Sequence, residues 1–159
     1  SAGPATLPAS FPLAPNRTFP GKMGYEDIDE LGVRQHGLVT TTQLAALGYS
    51  PTTLHRMCGA GRVARMHRSV YRLAGAPTTW RQLAMAATLA GGEGTYAAHR
   101  TAAALHPLFK TSGGIIEVVS EGTPRLHGIA IKSHRTFDLP AVDQWTVDHI
   151  PTVSLNRTL

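Results

Sequence analysis

The fold of this chain is decided by residues 34–75, which read RQHGLVTTTQLAALGYSPTTLHRMCGAGRVARMHRSVYRLAG. A short helical pattern at 43–47, which Thr41 or Thr42 is expected to cap, is stopped by Gly48, because glycine readily ends a helix. Ser50 then suits the N-cap of another helix, and Pro51 suits its first helical position. Two helices joined by a short glycine-containing turn are typical of a helix-turn-helix.

A basic hairpin is predicted directly after the second of these helices. Val63 and Met66 alternate with arginines, and Val70 and Leu73 bracket a second extended run. Residues 67–69 are expected to form the turn between the two strands. A helix-turn-helix followed by a hairpin indicates a winged helix, whose two parts are expected to share one small core.

The charge distribution points to a polyanionic partner. Residues 31–92 contain no acidic residue but seven arginines, whereas the whole chain carries 15 Lys and Arg, 10 Asp and Glu and a net charge of +5. Such a segment has a positive field, which favours binding to nucleic acid. A solvated arginine face without a ligand is the alternative, and the order of the elements favours DNA binding.

The helix from Pro51 to about Cys58 is predicted to be the DNA-recognition helix. Leu54 and Met57 are expected to face the core, so that the polar side chains between them face the major groove. The arginines of the hairpin are expected to lie against the phosphate backbone. The predicted contacts with double-stranded DNA are Thr42, Gln43, Ser50, Thr52, Thr53, His55, Arg56, Arg62, Arg65, His67 and Arg68.

The fold class predicted for the whole chain is α+β. A Pro-rich extended leader is expected at 1–22, a winged helix-turn-helix at 23–77, and a small mixed α/β domain at 78–159. Since the helix that Ser154 would start has only five further residues, we expect the chain to stop inside an element of a larger protein.

The second domain is predicted to begin with a helix in which Leu83 is available for burial. A segment at 147–153 is interrupted by Pro151, which predicts an edge strand or a turn. The remaining elements expected there are a helix at 80–90, a strand at 95–98, a helix at 99–105 and strands at 115–119 and 129–134.

No catalytic centre, metal site or cofactor is predicted. The glycines at 91, 92 and 94 do not form a phosphate-binding motif, because no Gly-Lys-Ser or Gly-Lys-Thr follows them. His99 and His106 are spaced to share a helix face, but two ligands do not make a metal site. The carboxylates after residue 110 lack the lysine two residues on that nuclease sites often use.

The single cysteine, Cys58, cannot form an intrachain disulfide, and a reduced cytoplasmic setting is the simplest interpretation. No apolar run reaches the length of a membrane helix, so no membrane association is predicted.

The chain resembles the AbiEi family of antitoxins of type IV toxin–antitoxin systems. The resemblance rests first on the 34–75 stretch, with its Leu-Gly turn, Ser-Pro helix start and Arg-x-Val-Tyr after the hairpin turn. It continues through AAHRTAAALHPL (97–108) and VDHIPTVSLNRTL (147–159). His106 and His149 depart from the family, whose members often have Trp and Gly at these positions.

The resemblance implies a transcriptional autorepressor whose winged helix binds the promoter of its own operon. It also implies an antitoxin that counters a nucleotidyltransferase-like toxin, through direct binding or only functionally. A homodimer is left open. The alternative is that the chain is the DNA-targeting half of a protein that continues into a very-short-patch-repair-like endonuclease.

Overall fold

The structure, a computed structural model, describes residues 25–107, 114–122, 126 and 130–158. The leader predicted at 1–22 lies outside these residues. The elements of the first half are α1 (Tyr25–Arg34), β1 (Leu38–Thr40), α2 (Thr41–Ala46), α3 (Pro51–Gly59), β2 (Val63–His67) and β3 (Val70–Leu73).

The second half begins with a long helix and continues into a sheet. Its elements are α4 (Trp80–Gly91), β4 (Thr95–Ala97), α5 (His99–Leu105), β5 (Ile116–Ser120), β6 (Ile131–Arg135), a 3₁₀ turn (Ala141–Asp143), β7 (Gln144–Val147), β8 (Ile150–Val153) and α6 (Leu155–Thr158). The α+β class with an N-terminal winged helix is therefore confirmed.

Helix α2 starts two residues earlier than the sequence predicted. Its N-cap is Thr40, whose hydroxyl accepts a hydrogen bond from the backbone N–H of Gln43 at 3.2 Å. The Gln43 side chain in turn accepts from the Thr40 N–H at 3.0 Å, which completes a capping box. The expectation that Thr41 or Thr42 caps this helix is therefore wrong.

Helix α3 starts as predicted. The Ser50 hydroxyl accepts from the Thr53 N–H at 3.1 Å, and Pro51 occupies the first helical position. Since proline lacks an N–H and its φ suits a helix, this start needs no donor at that position. The entry of α3 is therefore set by residues adjacent in the chain.

The winged helix is completed by a three-stranded antiparallel sheet in the order β1-β3-β2. Strand β1 pairs with β3 from Leu38↔Arg72 to Thr40↔Val70. The predicted turn at 67–69 is one residue too long, because His67 pairs with Val70 across a bulge in β2. The wing turn therefore consists of residues 68–69.

The second sheet has five strands in the order β6-β5-β4-β8-β7 and is mixed. The segment predicted at 147–153 as an edge strand or a turn does contain a turn at 148–149, but Pro151 lies in β8, an interior strand, so an edge strand around the proline is wrong. Proline is tolerated there because β8 pairs with β4 through Ala97↔Thr152 alone. The N–H that Pro151 lacks is not needed for that pairing.

Helix α4 packs against both halves of the described chain. One core cluster joins Leu38 and Val70 of the winged helix to Met85 of α4 and to Val118 and Ile150 of the second sheet. A separate cluster fills the winged helix itself, with members Ile28, Val39, Leu44, Leu47, Tyr49, Leu54, Met57, Val63 and Tyr71. The winged helix therefore has its own core but shares a second one.

At the start of α4, the buried side chains are not those that the sequence predicted. Leu83 is 38% exposed, whereas Gln82 is fully buried. The Gln82 side chain donates from Nε2 to the backbone oxygen of His36 at 2.7 Å. This polar contact fixes α4 against the loop between α1 and β1 and thereby positions the winged helix.

Candidate nucleic-acid interface

Helix α3 divides into a buried and an exposed face, as the sequence predicted. Leu54 and Met57 are buried, while Thr52, His55 and Arg56 are exposed. An exposed helix face with these side chains can donate to phosphates and to base edges.

Thr53 and Ser50, two further predicted contacts, meet at the start of α3. Their hydroxyl oxygens are 2.9 Å apart, and Ser50 also caps the helix. Ser50 is exposed and Thr53 half-buried. These hydroxyls therefore have a structural task at the helix start whether or not they also contact DNA.

The wing carries the exposed arginines that the sequence predicted there. Arg62, Arg65 and Arg68 are exposed, and His67 is half-buried. The Arg65 guanidinium donates from Nε to the His67 carbonyl and from Nη2 to the Arg68 carbonyl, both at 3.3 Å. Arg65 therefore stiffens the wing turn and holds its charge beside Arg68.

A groove of about 750 Å³ runs between α2, α3 and the wing. Its walls are mainly apolar, and His55, Arg65 and Arg68 add positively charged or polar groups. The residues lining it are Thr41, Leu44, Ala45, Tyr49, Ser50, Pro51, Leu54, His55, Cys58, Gly61, Val63, Ala64, Arg65, Arg68 and Tyr71. The structure thus brings predicted residues from α3 and from the wing to one concave surface.

Three other arginines of the acid-free segment contact partners away from this surface. Arg34 pairs with Glu30 at 3.4 Å, Arg81 pairs with Asp148 at 3.3 Å, and Arg72 donates to the Thr78 hydroxyl. Within the described part of the chain, no ion pair involves Arg56 or Arg68. These two exposed arginines therefore leave positive charge on α3 and on the wing that no carboxylate among the described residues pairs with.

Gln43 has a structural role that the sequence prediction missed. Its amide exchanges two hydrogen bonds with the amide of buried Gln35, at 2.8 and 2.9 Å. Gln35 also donates to the Leu38 carbonyl at 2.9 Å. Together with its capping role, this ties Gln43 into the frame of α2. The Thr40-x-x-Gln43 spacing of a capping box was the sequence signal for it.

Two positions beside Gln43 complete the first turn of α2. Thr42, a predicted contact, is exposed there. Thr41, which was not among the predicted contacts, lines the groove and donates its N–H to the Ser69 carbonyl at 2.9 Å. That bond connects the start of α2 to the wing turn, which only the folded chain brings together.

The second half carries a cluster of histidines around one carboxylate. His134 Nε2 lies 3.4 Å from Glu117 Oε1. The His99 ring lies edge-on to the His134 ring, with ring centroids 4.5 Å apart. Burial acts to raise the pKa of Glu117, but hydrogen bonds from the Arg100 N–H and His134 outweigh it. Together with the nearby His99, they leave this pKa below its ordinary value.

Over the described ranges, no group of three or more His, Cys, Asp or Glu side chains could hold a metal ion. No helix within those ranges is long and apolar enough to cross a bilayer.

The three-stranded sheet, the α2–α3 pair and the basic hairpin define a winged helix-turn-helix protein. Residues 26–74 match the family model described as transcriptional regulator, AbiEi antitoxin. This segment is therefore similar to that of AbiEi-type transcriptional regulators, and the resemblance seen in the sequence is confirmed for it. The match covers less than a third of the chain, and the resemblance at 97–108 and 147–159 stays a prediction. No curated protein matches the chain.

Proposed function

We propose that this protein represses transcription by binding double-stranded DNA at its own promoter through α3 and the wing. The observation that carries this proposal is the exposed basic surface of α3 and the wing, with Arg56 and Arg68 outside any ion pair of the described residues. The family match supports the regulatory role, since it covers the elements that build this surface.

In the proposed complex, α3 enters the major groove with its exposed face. Arg56 is the candidate for reading a guanine, because a guanidinium can donate two parallel hydrogen bonds to the O6 and N7 of that base. Thr52 and His55 lie on the same exposed side and are placed to contact neighbouring bases or phosphates.

The phosphate backbone would then follow the groove between α3 and the wing. Arg65 and Arg68 line this groove and supply positive charge, and its apolar walls suit the sugar rings. Arg62 lies exposed at the start of the hairpin and extends the charged surface. The contacts made by the wing are sequence-independent and set the register of α3 on the duplex.

The second part of the proposal is an antitoxin role. We assign DNA binding to residues 23–77 and neutralisation of a nucleotidyltransferase-like toxin to 78–159, by direct binding or only functionally. The family description names an antitoxin, which supports an antitoxin role, and its match at 26–74 lies within the segment assigned to DNA binding. We place the protein in the cytoplasm, where its promoter would be, and assign it no catalytic role. A homodimer would present two winged helices to an inverted repeat.

The proposal is tested by fluorescence anisotropy with the protein's own upstream DNA and a scrambled duplex. Arg56→Ala is expected to cost about 1–3 kcal/mol on the upstream DNA and less on the scrambled duplex. Arg34→Ala is the matched control, because it removes the same charge from a site that is ion-paired with Glu30.

Equal losses for Arg56→Ala on both duplexes would make Arg56 a phosphate contact and would contradict base reading by α3. Equal losses for the Arg34 and Arg56 variants would contradict the proposed surface. For the antitoxin role, co-expression of the full chain with the neighbouring gene product should rescue growth, and the Arg56→Ala variant, which is changed only on the DNA-binding surface, should rescue it equally. If the neighbouring gene product does not inhibit growth, and this chain is part of a longer protein with nuclease activity, the endonuclease alternative is favoured.

A further inference from the structure

Strand β7 forms one edge of the five-stranded sheet. Among the residues that the structure describes, it pairs with β8 alone, in a regular antiparallel ladder from Gln144↔Val153 to Val147↔Ile150. An edge strand presents a row of backbone N–H and C=O groups to which another strand can add. The opposite edge of the same sheet, β6, shows how such a row is normally protected.

Strand β6 carries charge, and β7 carries none. Lys132 and Arg135 are both exposed on β6, which discourages pairing with another strand. The sequence of β7, Gln-Trp-Thr-Val, contains no charged residue and no proline, and its register has no bulge. Gln144, Trp145 and Thr146 are all at least partly exposed. Strand β7 therefore lacks the features that block association at an edge.

An ordered apolar surface lies next to this strand. Trp145 is 47% exposed and Val142 is 75% exposed. The indole N–H donates to the Val142 carbonyl at 3.1 Å, and the ring meets buried His106 edge-on, with centroids 5.9 Å apart. Since its polar atom is satisfied and its position is held, Trp145 presents apolar surface at little entropic cost, as interface aromatics do.

We propose that β7 pairs antiparallel with β7 of a second copy of this chain, about a two-fold axis at Trp145, so that Thr146 of one copy lies opposite Gln144 of the other. Such an isologous contact closes after two subunits and joins the two sheets into one. Self-pairing brings no like charges together, because β7 contains no charged residue.

The charges that flank β7 fit a second copy. Asp143 precedes the strand and pairs with Arg157 at 3.2 Å, and Asp148 follows it and pairs with Arg81 at 3.3 Å. Antiparallel self-pairing places the Asp143–Arg157 pair of one copy beside the Asp148–Arg81 pair of the other. Each end of the interface then has two negative and two positive groups, so the charges at each end are balanced.

The turn after β7 identifies the backbone groups that face outward. Asp148 and His149 have φ of 51° and 64°, as in the two-residue type I′ turn of a tight hairpin. Val147 and Ile150 are then the first hydrogen-bonded pair. Since antiparallel pairs alternate, the N–H and C=O of Thr146 point away from β8. Thr146→Pro would remove one outward donor without breaking the ladder to β8.

The experiment is sedimentation velocity of the full chain without DNA, over a wide range of protein concentration. The wild-type chain is expected to shift from monomer to dimer as concentration rises. Thr146→Pro is expected to raise the dimer dissociation constant about tenfold or more, because the symmetric interface loses two hydrogen bonds, one from the Thr146 N–H of each copy. Thr146→Ala is the matched control, because it alters the same side chain but keeps the N–H, and should dimerise nearly as the wild type does.

Thermal unfolding of each variant verifies that it is folded. If Thr146→Pro does not fold, Val142→Lys tests the same interface from outside the strand by placing a new charge beside it, and should also weaken the dimer. A wild-type chain that stays monomeric throughout, or folded Thr146→Pro and Val142→Lys variants that dimerise as the wild type does, would overturn the proposal. Because no DNA is present, either outcome leaves the proposed function to its own test.

Discussion

The two halves of this molecule differ in how their elements are specified and in how their charges are arranged. In the winged helix, caps and turns are set by residues close in the chain, and Arg56 and Arg68 stand outside the ion pairs of the described residues. In the second half, strands distant in sequence form the sheet, and charged groups such as Arg157 and Asp143 are paired. The basic half thus concentrates exposed arginines on one surface, whereas several carboxylates of the other half are paired with basic side chains.

The two halves differ in charge, but they are not separated in packing. The buried side chains of Leu38 and Val70 belong to the winged helix but pack in the core built on α4. A function can therefore be confined to residues 23–77 while the stability of that segment depends on α4 and the second sheet.

The largest expected effect comes from cutting the chain after residue 77. A fragment 25–77 keeps the core around Leu44 and Leu54 but uncovers Leu38 and Val70. Exposing two such side chains should cost about 3–6 kcal/mol, at roughly 1.5–3 kcal/mol each. Urea unfolding followed by circular dichroism should therefore show the fragment largely unfolded.

A fragment 25–91, which restores α4, should recover part of that stability and serves as the control. If 25–77 unfolds at the same urea concentration as the full chain, the shared core contributes nothing, and the halves are independent.

The next effect concerns the polar contact at the boundary. Gln82→Ala removes the donor to the His36 carbonyl and should lower the free energy of unfolding by about 1–3 kcal/mol. Leu83→Ala, at the exposed neighbouring position, should cost clearly less. Chemical denaturation of the two variants makes the comparison, and a larger loss for Leu83→Ala would contradict the observed orientation of α4.

The contrast in charge is tested by the salt dependence of DNA binding. Replacing Arg65 and Arg68, which both line the groove, by Ala should reduce the slope of log affinity against log salt by about 1.8, at roughly 0.9 per phosphate contact. The variant that replaces Arg34 and Arg100 removes the same charge from outside the groove and should leave the slope nearly unchanged. Anisotropy titrations across a salt series measure the slope for both variants. An equal change in the two slopes would contradict contact between the wing and the phosphates.

The smallest effect is expected at Glu117 and depends on pH. Because the pKa of Glu117 is lowered in the folded chain, the ionised carboxylate stabilises the fold above its ordinary pKa. That stabilisation is lost as the pH falls through the lowered value. Glu117→Gln should therefore cost less than about 1 kcal/mol at neutral pH and almost nothing in acid, below the lowered pKa.

Thermal melts from neutral to acid pH measure the difference between Glu117→Gln and the wild-type chain. A difference that grows toward low pH would mean that the carboxylate is not stabilised by Arg100 and the histidines.

Much of the winged helix could be predicted because its signals act over three or four residues. Ser50 and Pro51 start α3 by a local hydrogen bond and a fixed φ, and the β-branched residues Val63 and Val70 favour the two strands of the wing. The exposed positions of α3 followed from helical periodicity. Most helices and strands of the second half were predictable with bounds within about two residues, but β7 was not predicted and Pro151 was expected at an edge or in a turn.

What the sequence alone determined is this order of elements, the fold class and the basic face, because local geometry and the absence of acidic residues decide them. The tertiary structure decided what depends on contacts between distant residues: β1 joining the wing sheet, Gln43 bonding to Gln35, and Pro151 lying inside a sheet. It also decided the division of the core, since whether Leu38 packs on α3 or α4 depends on how the two halves dock. No spacing in the chain encodes that choice, which arises from the shape of the assembled surfaces.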